Sequence, residues 1–246
     1  MIPQSRPTLL MTRPLAQSRR FAAELAQRFG PLDCVISPLI APEFLPSPPA
    51  PPCMAVIFTS ETGVEGAEKA GIWANTPRPD LAFCVGARTA SAAQAQGFRT
   101  KNAGGDWHNL VQLIAGQMAP SPLLFAAAAE APAHLQTALQ AVGFTLHRCD
   151  VYRQNPQPLT PQAQHLLNGA DPILLPLFSP RSAQLFCAAA PATSAPLWLA
   201  TLSPQISAAF TAPFARQVVA HRPNSAALLD AMQELLQIPP MLSPLP

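Results

Sequence analysis

The sequence predicts an α/β protein made of two parallel-sheet lobes with helices on both sheet faces. Three observations point there. Short apolar runs alternate with longer amphipathic ones along the chain, the pattern of parallel strands joined by crossover helices. Two segments echo each other: Val56-Ile57-Phe58-Thr59-Ser60 and then Phe83 to Ala90 each lead into a helix, as do Leu177 to Pro180 and then Leu199 to Pro204. Residues 37–42 and 151–161 are extended and proline-bounded, and they read as connectors between the lobes. A length of 246 residues accommodates one or two domains.

Taken in order, residues 8–12 form an apolar strand. A helix follows over 17–29, with Phe21, Leu25 and Phe29 four residues apart, stopped by Gly30-Pro31. Residues 32–36 are a second strand, and the proline-rich stretch 46–52 is a surface loop. A strand over 55–58 precedes a helix around 61–70, and a strand over 81–85 precedes a helix around 88–96. Asp106 can cap a helix that buries Leu110, Val111, Leu113 and Ile114. Residues 123–125 are a strand, 133–142 a helix and 145–152 an extended run. The second half repeats the scheme, with strands over 173–178, 197–200 and 217–219 and helices over 181–190, 204–211 and 225–236. The tail 239–246 is broken by four prolines and is expected to be loosely attached.

Composition removes several classes. With 49% hydrophobic residues the chain can fill a core, which excludes wholesale disorder. The 11 glycines and 31 prolines are about 17% of the chain, below the roughly 25% of low-complexity sequences. A net charge of +2 is too weak a footprint for nucleic-acid binding. The longest uncharged stretch, 182–215, is interrupted by Pro191, Pro196, Pro204 and Pro213, so no membrane span is expected. Residues 1–14 hold three prolines and two arginines but no apolar core of a signal peptide. Cys34, Cys53, Cys84, Cys149 and Cys187 are odd in number and form no C-x-x-C, so they read as reduced thiols of a cytoplasmic protein.

The chemistry-bearing motifs are few. There is no G-x-G-x-x-G, no P-loop and no G-x-S-x-G elbow, and the five histidines have no neighbours at metal-ligand spacing. What remains is a set of hydroxyls at strand-to-helix junctions: Thr12, Thr59, Ser60, Thr89, Ser179, Ser182, Thr201 and Ser203. In an open parallel sheet such junctions lie at the carboxyl edge of the strands, where ligands bind. The helix N-termini there offer free N–H groups to anions. Arg13, Arg88 and Arg181 sit at the same junctions and could fork onto carboxylates. Each hydroxyl taken alone reads as a helix N-cap; the repetition is the signal. Tyr152, the only tyrosine, lies in the second connector, where a phenol can donate a proton or simply pack.

The run Leu10-Met11-Thr12-Arg13-Pro14 resembles the start of the uroporphyrinogen-III synthase family. So, in the family's order and spacing, do Phe58-Thr59-Ser60, Val85-Gly86-Ala87-Arg88-Thr89-Ala90, Gly105-Asp106, Val151-Tyr152-Arg153, Phe178-Ser179-Pro180-Arg181-Ser182 and the closing segment 220–229. The resemblance implies two flavodoxin-like lobes joined by a two-strand linker. Lobe one would be residues 1–36 and 156–246, lobe two 42–150, and the linkers 37–41 and 151–155. It implies a cofactor-independent, metal-free hydro-lyase of tetrapyrrole biosynthesis. This enzyme closes hydroxymethylbilane to uroporphyrinogen III with inversion of ring D and loss of water, through a spiro intermediate held in the cleft between lobes. Tyr152 matches the family's linker tyrosine, which would assist departure of the hydroxyl. Thr12, Arg13, Thr59, Ser60, Gly86, Thr89, Ser179, Pro180, Arg181, Ser182 and Ser203 would bind substrate. The expected partners are the linear tetrapyrrole itself and a transient handover from porphobilinogen deaminase, with the chain a monomer. The chain departs from the family at Ala126 to Glu130, where relatives often carry a glycine- and arginine-bearing turn, and at Gln205-Ile206, where they often carry threonine. A non-catalytic two-lobe binding module for a polycarboxylate is the alternative, and a nucleotide-binding protein a weaker one.

Overall fold

The computed structural model describes residues 6–237; the tail 239–246 lies outside them. In chain order the elements are β1 (Thr8–Met11), α1 (Leu15–Phe29), β2 (Cys34–Ile36), β3 (Ile40–Phe44), β4 (Ala55–Phe58), α2 (Glu61–Lys69), β5 (Leu81–Cys84), α3 (Ala87–Ala95), β6 (Arg99–Asn102), α4 (Trp107–Gln117), β7 (Pro122–Ala128), α5 (His134–Ala141), β8 (Thr145–Pro156), α6 (Pro161–Leu167), β9 (Ile173–Leu177), α7 (Pro180–Ala189), β10 (Leu197–Thr201), α8 (Pro204–Ala208), β11 (Arg216–Val219) and α9 (Ser225–Gln237). They fall into two compact units. One runs to Ala41 and resumes at Pro156; the other is Pro42–Asn155.

The discontinuous unit holds a parallel sheet in the order β11-β10-β9-β1-β2. Counted along the chain this is the flavodoxin-like order 2-1-3-4-5, with its topological switch between β1 and β9. Every residue of β9 is buried, as expected of an apolar run covered on both faces. On one face Phe186 of α7 and Ile206 of α8 join Ala163 and Leu167 of α6 over Leu175 and Leu199. On the other, Phe21 and Leu25 of α1 meet Leu228, Met232 and Leu235 of α9.

Pro176 sits inside β9, where a central strand rarely tolerates proline. The geometry explains it. Ile173 N–H donates toward β10, to Pro196 O, so alternation turns the nitrogen of Pro176 toward β1. The β1–β9 pairing runs only over Thr8–Ile173 and Leu9–Leu174 and ends before that nitrogen. The carboxyl ends of β1 and β9 are therefore not laddered together.

The inserted unit holds a sheet in the order β3-β8-β7-β4-β5-β6, in which β8, β7, β4, β5 and β6 are parallel. Its switch point lies between β4 and β7. Val64 and Ala67 of α2 and Ala90 and Ala93 of α3 cover one face. Leu110 and Ile114 of α4 and Leu135 and Leu139 of α5 cover the other.

Four features differ from the sequence expectations. β6 and α6 were not expected, because β6 is a polar edge strand (Arg-Thr-Lys-Asn) and α6 is only seven residues long. Residues 40–42, read as part of a connector, fall within β3, an edge strand of the inserted unit's sheet beside β8. β8 runs on to Pro156, so Tyr152, read as lying outside a lobe, belongs to the inserted unit's sheet and core.

α2 lies unusually close to the strands beneath it. A Cβ at Gly63 would come within 3.1 Å of Ala126 O, and one at Gly66 within 2.9 Å of Val151 Cγ2 and 3.1 Å of Val151 O. Val151 is the extra residue of a bulge, since Asp150 pairs with Ala127 and Tyr152 already with Ala128. We expect Gly66→Ala to lose about 1–2 kcal/mol of stability through overpacking, despite alanine's better helix propensity. Gly116 of α4, with nothing within 4 Å of such a Cβ, is the control. Gly116→Ala should gain up to about 0.5–1 kcal/mol. Urea unfolding midpoints of the two variants should move in opposite directions.

Candidate functional site

In the inserted unit the candidate residues gather at the carboxyl ends of β4, β5 and β8. Ser60 is the N-cap of α2, its Oγ accepting from Gly63 N–H at 2.9 Å. The same Oγ lies 3.0 Å from the hydroxyl of Tyr152. The bulge makes this contact. Leu146 faces the α4–α5 side of the sheet, while Cys149 and Val151 face the α2–α3 side. Strict alternation would send Tyr152 to the α4–α5 side; the extra residue turns it toward α2 instead.

Tyr152 is only 5% exposed, and burial raises its pKa above the usual 10. The hydrogen bond to Ser60 lowers it, the nearby Glu130 carboxylate raises it and Gln154 lowers it, with burial the largest effect. The phenol therefore keeps its proton at neutral pH. A neutral phenol anchored to a serine hydroxyl can donate to a departing oxygen.

Thr59, half-buried, links β4 to α2. Gly86 is the N-cap of α3 with extended backbone and open space where a Cβ would stand, so neither strain nor crowding requires glycine there. Thr89 is buried in the first turn of α3, and Arg88 beside it is exposed.

In the discontinuous unit the candidates flank the β1–β9 switch point. Thr12 is buried at the end of β1, and its carbonyl accepts from Leu39 N–H at 3.0 Å. Arg13 lays its guanidinium 3.9 Å over the ring of Phe178. Ser179 caps α7, accepting from Ser182 N–H at 3.1 Å, and the two hydroxyls are 2.8 Å apart. Pro180 occupies the first turn, where its missing N–H costs nothing. Arg181 is half-buried beside it. Ser203 precedes the short α8 and makes no side-chain cap bond. Ser60–Tyr152 and Ser179–Ser182 are thus two pairs brought into direct contact.

Sequence reasoning missed several supports. Arg148 of β8 donates to the carbonyls of Ala128, Ala129 and Ala131 at 2.8–3.0 Å and to Asp150 at 2.7 Å. It fixes the turn after β7. Ala129 N–H donates to Tyr152 O, and Glu130 accepts from Gln154 N–H, so this turn also grips the strand at and just after Tyr152. The signal for Arg148 is spatial and absent from local spacing. Thr201, one of the junction hydroxyls named from sequence, is fully buried at the end of β10 with an Oγ1 that has no hydrogen-bond partner.

The cysteines are free thiols. Burial pushes Cys53 up to about 11 and Cys84 up to about 12, which leaves both protonated and unreactive. Among the described residues no group of three or more His, Cys, Asp or Glu side chains could hold a metal ion. Among the same residues no helix is long and apolar enough to cross a membrane.

Comparison with known proteins supplies the family. Residues 20–230 match the family model described as uroporphyrinogen-III synthase HemD. No curated protein matches the sequence. The fold is that of the uroporphyrinogen-III synthetase of Helicobacter pylori, with a TM-score of 0.65 at 18% identity over 94% of this chain and 100% of that one. A mutant uroporphyrinogen III synthase from Thermus thermophilus gives 0.51 at 14% identity, over 94% and 99%. The ordered junction motifs, the two parallel sheets and a family model spanning most of the length agree, and the chain belongs to the uroporphyrinogen-III synthase family.

Proposed function

We propose that this chain closes hydroxymethylbilane to uroporphyrinogen III, with inversion of ring D and loss of water. Family membership supports the reaction. The observation that carries the site is the Ser60–Tyr152 hydroxyl pair at the carboxyl edge of the inserted unit's sheet.

The substrate is a linear tetrapyrrole bearing eight carboxylates and a hydroxymethyl group on ring A. Tyr152 gives its proton to the ring A hydroxyl, which leaves as water and exposes an electrophilic methylene. Ring D attacks through its substituted α-carbon to form a spiro centre. The bond from the spiro centre to the ring C methylene breaks, which leaves that methylene electrophilic, and ring D recloses onto it through its other α-carbon. Loss of the hydrogen on that carbon returns the proton. Free hydroxymethylbilane closes without inversion, so the protein's contribution is largely geometric.

Carboxylates suit what the two sheet edges offer. The N-termini of α2, α3 and α7 present the positive ends of helix dipoles. Thr59, Ser60, Gly86 and Thr89 serve the inserted unit; Thr12, Arg13, Ser179, Pro180, Arg181, Ser182 and Ser203 serve the discontinuous one. The chain acts as a cytoplasmic monomer, and the short life of its substrate favours direct handover from porphobilinogen deaminase.

The deciding experiment generates hydroxymethylbilane in place with porphobilinogen deaminase, adds the protein, oxidises the product and separates the porphyrin isomers. Isomer III is expected to dominate. Isomer I alone, at the spontaneous rate, would replace the enzyme with a polycarboxylate-binding module. Tyr152→Phe should lower kcat by ~10²–10⁴-fold while the melting temperature stays close to the parent's. An unchanged kcat would assign the phenol to packing. Because the pKa of Tyr152 is raised and its active form is protonated, the rate ratio of parent to Tyr152→Phe should stay constant from about pH 7 to 9. A ratio that collapses within that interval would show a phenol ionising well below its ordinary value of about 10.

A further inference from the structure

The phenol of Tyr152 is held from two sides. Ser60 Oγ lies 3.0 Å from its hydroxyl, and the side chain of Gln154 hydrogen-bonds the same oxygen. Gln154 stands two residues further along β8, so strand alternation puts it on the face that carries Tyr152. Its backbone is fixed there. Both carboxylate oxygens of Glu130 accept from Gln154 N–H, at 3.1 and 3.3 Å, and Ala129 N–H donates to Tyr152 O. Arg148 ties down the same turn through the carbonyls of Ala128, Ala129 and Ala131.

A side-chain amide can accept from a phenol or donate to it. Gln154 donates, since its contact favours the ionised phenol against the effect of burial, as a donor does. Ser60 acts in the same sense. Its Oγ accepts from Gly63 N–H at 2.9 Å, and the hydrogen it offers the phenol leaves that helix cap intact. A phenol oxygen that receives two hydrogens keeps its own directed elsewhere, and it is prepared for the charge left when that hydrogen departs. We infer that Gln154 is a positioning residue for the proton transfer: with Ser60 it donates to the phenol oxygen of Tyr152, so that the phenol hydrogen is directed at the ring A hydroxyl and the resulting phenolate is stabilised. This rests on the functional reading above and keeps its balance. The C–O bond of ring A breaks, the hydroxyl leaves as water with the phenol proton, and the hydrogen lost from ring D at reclosure restores the phenol.

Tyr152 is the only tyrosine, so difluorotyrosine incorporated throughout the chain labels this site alone. Its more acidic phenol can be titrated by fluorine NMR while the protein stays folded. Gln154→Met keeps the length of the side chain and loses the donor. The titration midpoint should rise by about one pH unit. In the unlabelled protein kcat should fall about tenfold, with KM for prepared hydroxymethylbilane and the melting temperature unchanged. Gln154→Glu puts a carboxylate of the same size beside the phenol and should raise the midpoint further. In a Tyr152→Phe background, Gln154→Met should leave kcat where it is, because the amide acts only through the phenol. An unchanged midpoint in Gln154→Met, a rise in KM in place of the loss in kcat, or a loss in kcat that persists in the Tyr152→Phe background would overturn the inference. A parent that yields only isomer I would instead overturn the functional reading, and with it the role in proton transfer, while the midpoints would still report the hydrogen bond.

Discussion

The close seating of α2 on β7 and β8 is the constraint from which the candidate chemistry follows. Two glycines on one face of a nine-residue helix let its backbone approach Ala126 O and Val151 to distances at which a Cβ would be crowded. That approach brings the N-cap hydroxyl of α2 over the end of β8. The bulge at Val151 then turns Tyr152 onto the same side. Neither device suffices alone. Without the bulge the phenol would point to the opposite face, and without the glycines Ser60 would stand too far off to meet it. Arg148 and Glu130 complete the arrangement by holding the neighbouring turn against the strand at and just after the tyrosine.

The two units solve one problem differently. In the inserted unit a strand irregularity aims a side chain, while in the discontinuous unit a proline ends a ladder early. Pro176 turns its nitrogen toward β1 where pairing has already ceased, so the sheet loses no hydrogen bond there, and the strand ends beyond it are left unladdered. The proline falls beside its unit's switch point and the bulge one strand away from the other, where a doubly wound sheet has its crevice. The polar groups collected at these edges are mostly uncharged. Hydroxyls, helix N-termini and a buried phenol suit a reaction in which geometry selects between two closures of one substrate.

Much of the architecture could be read from sequence because the central strands are apolar throughout. Ala55 to Phe58 and Ile173 to Leu177 stand out since both of their faces are covered. β6 did not, because an edge strand of Arg, Thr, Lys and Asn carries no apolar period. α6 was hidden by its length and by the prolines before it. At the site, the junction positions of Ser60 and Ser179 were readable and their capping role is what junction chemistry predicts. The Ser60–Tyr152 contact was not, for it depends on a one-residue slip in β8 that no alternation pattern announces. Arg148 escaped for a related reason: its carbonyl partners lie 17 to 20 residues away.

Where the inserted unit begins and ends has a consequence for how the chain reaches its native state. β1 pairs with β9, so Thr8 must find Ile173 across the whole insertion. For a flexible loop, each doubling of length adds about 0.6 kcal/mol of closure entropy. The insertion is not left flexible, because its ends are tied side by side. Leu45 N–H donates to Val151 O, and the side chain of Asn155 to Glu43. Once residues 42–155 have folded, the chain leaves them almost where it entered, and the effective loop between β1 and β9 shrinks to residues 12–41 and 156–172. The insertion also emerges from the ribosome before β9 exists. Synthesis therefore favours an order in which the inserted unit folds first and acts as a clasp, and only then can the discontinuous sheet close around β1.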